Sequence, residues 1–202
     1  MRIFAGNTST MKTRPLPYNI AVGFVMKLCE DGLYEEALMI FLGITTGFRI
    51  SDILKLKKQD IEGDYLYVDS EVKTGKVRLV PLNAFKRMKG LFDPFLKHRA
   101  LSKFLFTGKR GSTGEKPLTV DGANIRLAKV FKEYDIDVHK STSHTLRKTY
   151  ARHLYEKCLE KLRDTNMALW IVSRQLNHKS IYDTLTYIGL EDETLDIAYD
   201  NF

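Results

Sequence analysis

The pattern of apolar and polar positions divides the chain into a helical front, a short β segment and a helical remainder. Residues 18 to 29 read as a helix, introduced by Pro15 and Pro17 and broken at Asp31-Gly32. Tyr34 to about Thr46 is a second helix. Leu38, Phe41, Leu42 and Thr45 fall at i, i+3, i+4 and i+7, and Gly47 offers the left-handed stop. A short helix follows through Leu56. The period then changes. Asp60-Ile61, a turn at Glu62-Gly63-Asp64, and Tyr65 to Val68 read as a hairpin. A second turn at Lys73-Thr74-Gly75-Lys76 leads into an alternating stretch from Val77 to Leu82, closed by Pro81. The expectation is a small three-stranded antiparallel sheet.

Helical periodicity returns over about 83 to 92 and 94 to 99, then over 120 to 134, 144 to 156, and 167 to 177 around Trp170. Residues 107 to 117 are a basic, glycine-bearing loop. Asn177 suits a left-handed cap. Ser180 with Asp183 makes a capping box for a last helix from Ile181. In that helix Ile181, Leu185 and Ile188 form the apolar stripe, and Tyr187 lies roughly 120° from its centre at 100° per residue. The fold class expected is α+β, mostly α-helical, with one small sheet. Residues 1 to 14 read as a basic arm and residues 15 to 202 as one domain.

Composition narrows the partner. Of the 202 residues, 44% are hydrophobic, enough to bury a core, and the net charge is +7. A basic balance points to a polyanion, nucleic acid before membrane. The charge is uneven. Between Val72 and Ser112 there are eleven Lys or Arg and one acid, Asp93, whereas residues 191 to 202 carry five acids and no base. The basic stretch reads as a track for a phosphate backbone, with Lys76, Arg78, Lys109 and Arg110 as candidate contacts. Cys29 and Cys158 have no metal-ligand spacing and suit a reduced, cytoplasmic setting. No apolar run reaches the ~18 residues of a spanning helix.

Candidate chemistry gathers near the end of the chain. His144 and Arg147 are three apart and share a helix face, just after the cap candidates Thr142 and Ser143. A cation, an imidazole and a helix N-terminus aimed together suit a phosphate. His178 and Tyr187, nine residues apart, add a second imidazole and a phenol that could act as nucleophile. Taken singly, a His-x-x-Arg is usually a solvated face, and a tyrosine on an amphipathic helix is usually core or rim.

The order of these residues changes the balance. Arg49 in Thr46-Gly47-Phe48-Arg49-Ile50-Ser51-Asp52, then Lys73 in a turn, His144-x-x-Arg147, His178 after Leu176-Asn177, and finally Tyr187 resemble the tyrosine recombinase (phage integrase) family. The resemblance covers roughly residues 15 to 202, the family's catalytic domain. There are two departures. Fewer than 20 residues stand where the family's core-binding domain would be, and Asn177 stands where the family commonly has glycine.

The resemblance implies cleavage and rejoining of double-stranded DNA through a 3′-phosphotyrosyl intermediate, without metal or ATP. In that scheme Arg49 and Arg147 clamp the non-bridging oxygens, and Tyr187 attacks. His144 is the base, His178 a stabilising donor, and Lys73 the acid for the leaving 5′ oxygen, with Lys76 its rival on the same turn. Asp52 supports, by orienting Arg49 or a histidine, or is simply its ion-pair partner. Tyr182 is a weaker rival to Tyr187. The resemblance further implies a monomer in solution, a homotetramer on DNA, and accessory DNA-bending proteins. The acidic tail from Leu190 to Phe202 either docks on a neighbouring protomer or packs on its own domain. Two other activities fit the same residues: strand relaxation of the type IB topoisomerase kind, and DNA binding by a catalytically silent descendant of an integrase.

Overall fold

A computed structural model describes residues 13–68, 78–99, 102–108, 115–136 and 143–190, with only the backbone described at Tyr67, Val68 and Arg78. Eight helices and one hairpin of strands occur among them. Helix α1 (Tyr18–Glu30) packs beside α2 (Tyr34–Thr46), the central element. Every residue of α2 from Glu36 to Ile44 is buried. A helix hydrophobic nearly all round needs partners on all sides. It has α1 on one flank, α4 (Asn83–His98) on another, and α6 (Ser143–Leu162) across its C-terminal half. Phe41 of α2 meets Phe85 and Phe92 of α4 at ring-centroid distances of 6.4 and 5.5 Å. Gly43 lets α6 cross closely, because a Cβ there would stand 2.7 Å from the Leu146 Cβ.

The short α3 (Ile50–Ile53) follows α2 directly, and the strands β1 (Tyr65–Val68) and β2 (Arg78–Pro81) pair antiparallel, Tyr65 with Pro81 and Val68 with Arg78. The expected first strand at Asp60-Ile61 is absent, so the sheet has two strands among the described residues rather than three. Lys58–Ile61 is a 3-10 turn instead. The Asp60 carboxylate accepts from the Lys57 N–H at 2.8 Å and closes the backbone on itself, while Ile61 is buried beneath. A local side-chain bond of this kind competes directly with a strand ladder.

A second difference is that residues 83–98 form one helix, not two, although Pro94 lies inside it. Proline removes the bond to the carbonyl four residues back. Both Pro94 and Gly90, which carries that carbonyl, face solvent, while Phe85, Phe92, Phe95 and Leu96 anchor the opposite face. The lost bond falls on the solvent side, and the apolar face holds the helix together. Helix α5 (Val120–Glu133) begins at an N-cap where Thr119 Oγ1 accepts from the Gly122 N–H.

The C-terminal elements form a second apolar cluster. Helix α7 (Thr165–Leu176), capped by Asp164, and α8 (Ile181–Ile188) pack on the far half of α6 through Ala151, Tyr155, Ala168, Val172, Leu176 and Ile188. The capping box of Ser180 and Asp183 forms as expected, and Asn177 takes φ 55° as the left-handed cap of α7. Among the described residues no helix is long and apolar enough to cross a membrane.

One polar knot ties the first cluster together. The Glu35 carboxylate accepts from Arg99 at 3.2 Å and from the Thr107 N–H at 3.2 Å, and lies 3.0 Å from Arg126. Arg99 also donates to Thr107 Oγ1 at 2.6 Å, and Arg126 to the Thr107 carbonyl at 3.1 Å. These side chains are largely withdrawn from water. Removing the Glu35 carboxylate would take the nearest counter-charge from both guanidinium groups, leaving Arg99 on Thr107 and Arg126 on Thr107 and on Glu36 at 4.0 Å, the costly way to break a buried ion pair. We expect Glu35→Ala to lose about 3 kcal/mol of folding stability, read as a lower urea midpoint at unchanged slope. A loss under about 0.5 kcal/mol, typical of an exposed pair, would show that the knot is ornamental.

Candidate active site

Helix ends supply the candidate site. Gly47 ends α2 with φ 64°. A side chain there would be strained, and its Cβ would fall 2.2 Å from the Tyr150 ring. This reversal sends the buried Phe48 inward and brings Arg49 out at the N-cap of α3. Asp52 follows in the first turn of α3 at 3% exposure. Ser143 opens α6, its N–H donating to Asn124 Oδ1 of α5 at 3.0 Å. That bond satisfies one of the donors orphaned at a helix start and fixes the turn that carries His144.

Arg147, one turn further along α6, is 4% exposed. It donates to the Gly47 carbonyl at 2.5 Å and to the Leu176 carbonyl at 2.7 Å. It thereby joins the C-terminal ends of α2 and α7, where the helix dipoles favour a cation. Arg49, His144 and Arg147, with Ile50, Ser51, Val120, Asn124 and Ser143, line one cleft of about 230 Å³. Three of the residues singled out in the sequence therefore open onto a single space.

The second cluster stands beside Arg147. The His178 ring meets the Tyr187 ring edge-on at 5.1 Å, and His178 Nδ1 lies 3.0 Å from Thr184 Oγ1. Tyr187 is half-buried, yet its hydroxyl is sealed from solvent and makes no hydrogen bond of normal geometry. Burial pushes its pKa above the usual 10.0, and Arg147, then Arg49, pull it back. The phenol therefore lies in the field of both arginines. Burial likewise lowers the His178 pKa from 6.5, helped by Arg147. Tyr182, the rival phenol, is 63% exposed on the outer side of α8.

Lys73, Lys76, Lys109 and Arg110 fall outside the described residues, as does the tail beyond Leu190; of Arg78 only the β2 backbone is described. Sequence reasoning passed over Asn124, Thr184 and Lys148. Thr184 had a detectable signal, a hydroxyl in the turn of α8 that faces His178. Asn124 and Lys148 had none, since their partners lie 19 and 135 positions away.

The phage integrase family model matches residues 24–194. Among curated proteins, the probable integrase/recombinase YoeC of Bacillus subtilis is 30% identical over 171 residues, covering 83% of this chain and 84% of that one. The tyrosine recombinase XerC of Bacillus licheniformis is 28% identical, covering 83% of this chain and 53% of its own length. Among solved structures, the XerH site-specific recombinase bound to palindromic difH substrate superposes with a TM-score of 0.66 at 23% identity, covering 96% of this chain and 55% of that one. A lambda integrase dimer bound to a COC′ core site superposes at 0.59 and 23% identity, covering 91% of this chain and 50% of that one. The chain thus spans about half the length of XerC and of both structural neighbours.

The environment of His178 generates a test that needs no DNA. Its pKa is depressed in the folded state, so the unfolded chain binds the proton more readily below about 6.5. Stability from this group is present above that value and is lost as pH falls through the folded pKa. We expect stability to drop between pH 7 and pH 5, and to drop less steeply in His178→Asn. Urea midpoints of the two chains across that range check it; parallel curves would mean that His178 titrates as it does in water.

Proposed function

This chain belongs to the phage integrase family, and we propose that it cleaves and rejoins double-stranded DNA at specific sites through a 3′-phosphotyrosine on Tyr187. The observation that carries the reading is electrostatic. Arg49, His144 and Arg147 share one cleft, and the Tyr187 phenol sits where both arginines favour its phenolate. A phosphodiester attacked by that oxygen gains negative charge on its non-bridging oxygens. Forked, permanently charged guanidinium groups stabilise that charge more than they stabilise the ground state.

In this mechanism the phenol oxygen attacks phosphorus and His144 takes its proton. The bond to the 5′ oxygen breaks, and Lys73 supplies the proton that lets an alcohol depart. His178 donates to a non-bridging oxygen, and Asp52, in the first turn of α3, orients Arg49 or a histidine. The ester bond is conserved in the phosphotyrosine, so a 5′ hydroxyl can reverse the steps with the same groups. Lys76, Arg78, Lys109 and Arg110 contact the backbone of the duplex. Exchange between two sites requires a tetramer of such chains on DNA, the acidic tail docking on a neighbour. The DNA-bound structures of XerH and lambda integrase support the polyanion assignment by their shared fold.

The reading is tested with a library of nicked duplexes of randomised sequence, from which covalent protein–DNA adducts are recovered under denaturing conditions. We expect adduct from the natural chain and none from Tyr187→Phe, with Tyr182→Phe unaffected. Arg147→Lys should slow adduct formation on the order of 10²- to 10³-fold, because a lysine cannot keep the planar contacts. Adduct from Tyr187→Phe would overturn the nucleophile assignment. Strand exchange between two recovered sites, as against relaxation of supercoils alone, separates recombinase from topoisomerase.

The acid is tested separately. Lys73→Ala should block an ordinary duplex but cleave one whose leaving 5′ oxygen is replaced by sulfur, since a thiolate departs without a proton. Rescue of Lys76→Ala in place of Lys73→Ala would move the role to Lys76.

A further inference from the structure

Lys148 directly follows Arg147 on α6, and at 9% exposure it is a cation largely withdrawn from water. Such a group needs partners that compensate its lost hydration. One is the carbonyl of Thr13, which accepts from Nζ at 2.6 Å. Another is the ring of Tyr187, whose centroid lies 5.5 Å from Nζ. One residue on, Thr149 Oγ1 accepts from the Leu16 N–H at 2.9 Å. The chain entering the domain is thus laid across α6 by two consecutive residues, and the first of them also touches the proposed nucleophile.

We propose that Lys148 is a positioning residue for strand cleavage: its ammonium holds the Tyr187 ring, and the Thr13 carbonyl holds the ammonium in place. The proposal rests on the reading of Tyr187 as the attacking group. The His178 ring lies against the Tyr187 ring in a T-shaped contact, and the ammonium makes a second contact with it. A lysine side chain is flexible, and its anchoring by Thr13 is what turns a transient cation–π contact into a fixed one. The contact also grows as the reaction proceeds. A phenol that is losing its proton has a more electron-rich ring, which attracts the cation more strongly. An interaction that strengthens toward the transition state speeds the chemical step instead of merely tightening binding. The segment around Thr13 then becomes part of the support of the active site, although it contributes no side chain to the chemistry.

Two substitutions separate this role from simple anchoring of the entering chain. Lys148→Gln keeps a donor for the Thr13 carbonyl and removes the charge from the ring. Lys148→Arg keeps both. On a nicked duplex recovered as above, at saturating DNA, we expect Lys148→Gln to form adduct roughly tenfold more slowly. Its half-saturating DNA concentration and melting temperature should stay near those of the natural chain, and Lys148→Arg should recover most of the rate. A normal rate from Lys148→Gln overturns this proposal alone. Absence of adduct from every chain overturns the cleavage reading, and this proposal with it. A second measurement needs no DNA: the phenol of Tyr187, followed by ring-labelled tyrosine NMR and identified by its loss in Tyr187→Phe. It should ionise at higher pH in Lys148→Gln than in the natural chain or Lys148→Arg. An unchanged midpoint overturns the proposal.

Discussion

A single guanidinium, buried between two helix ends, is the contact on which the candidate site depends. Arg147 reaches from α6 to the Gly47 carbonyl at the end of α2 and to the Leu176 carbonyl at the end of α7. The first apolar cluster gathers around α2 and the second around α7; α6 runs through both, and this side chain adds a polar tie between the two helix ends beside it. It can do so because both carbonyls belong to helix C-terminal ends. Such carbonyls lack intrahelical donors and carry the negative end of the helix dipole. The left-handed residues Gly47 and Asn177 are what turn the chain away and leave those carbonyls accessible.

The other site residues follow the same logic. Arg49 is an N-cap, His144 stands in the first turn of α6, His178 follows the cap of α7, and Tyr187 stands in the last turn of α8. A helix terminus is the place where the backbone is still held but the side chain is no longer confined by the next turn. A cleft can therefore be built there without opening the core. The arrangement also separates two duties. The long apolar stretch of α2 holds the fold, and its last two turns lead to the reversal that presents Arg49.

Much of this was legible in the sequence because the decisive signals are local. Gly47, Asn177 and the Ser180–Asp183 box are short-range cap chemistry, and all three stand where the pattern put them. The errors arose where a local bond or a distant surface overrode the pattern. Asp60 closes its own turn and removes the expected third strand, which alternation alone could not reveal. Periodicity read two helical stretches, 83 to 92 and 94 to 99, yet the apolar face of α4 runs unbroken past Pro94, which faces solvent. The placement of Tyr187 was not legible. Its offset from the apolar stripe set it off the core, yet it packs on the second cluster while Ile181 of the stripe is exposed. Nothing in the periodicity showed that its hydroxyl would be sealed beside Arg147. Lys148 was illegible, because its partner is a backbone carbonyl at the other end of the chain.

Buried cations in this molecule are held both by carboxylates and by backbone carbonyls. Around Glu35, a carboxylate meets Arg99 and Arg126 directly, so opposite charges are placed together and the field outside the knot is weakened. At Arg147 and Lys148 the bonds described run to the carbonyls of Gly47, Leu176 and Thr13. A carbonyl is a dipole: it satisfies a donor without cancelling the charge. A carbonyl thus orients a buried cation without adding a counter-charge of its own. Burial lowers the His178 pKa, and Arg147 beside it adds to the shift. A phosphate group entering the cleft would meet Arg147 already oriented by backbone carbonyls, so less reorganisation remains to be done as negative charge develops.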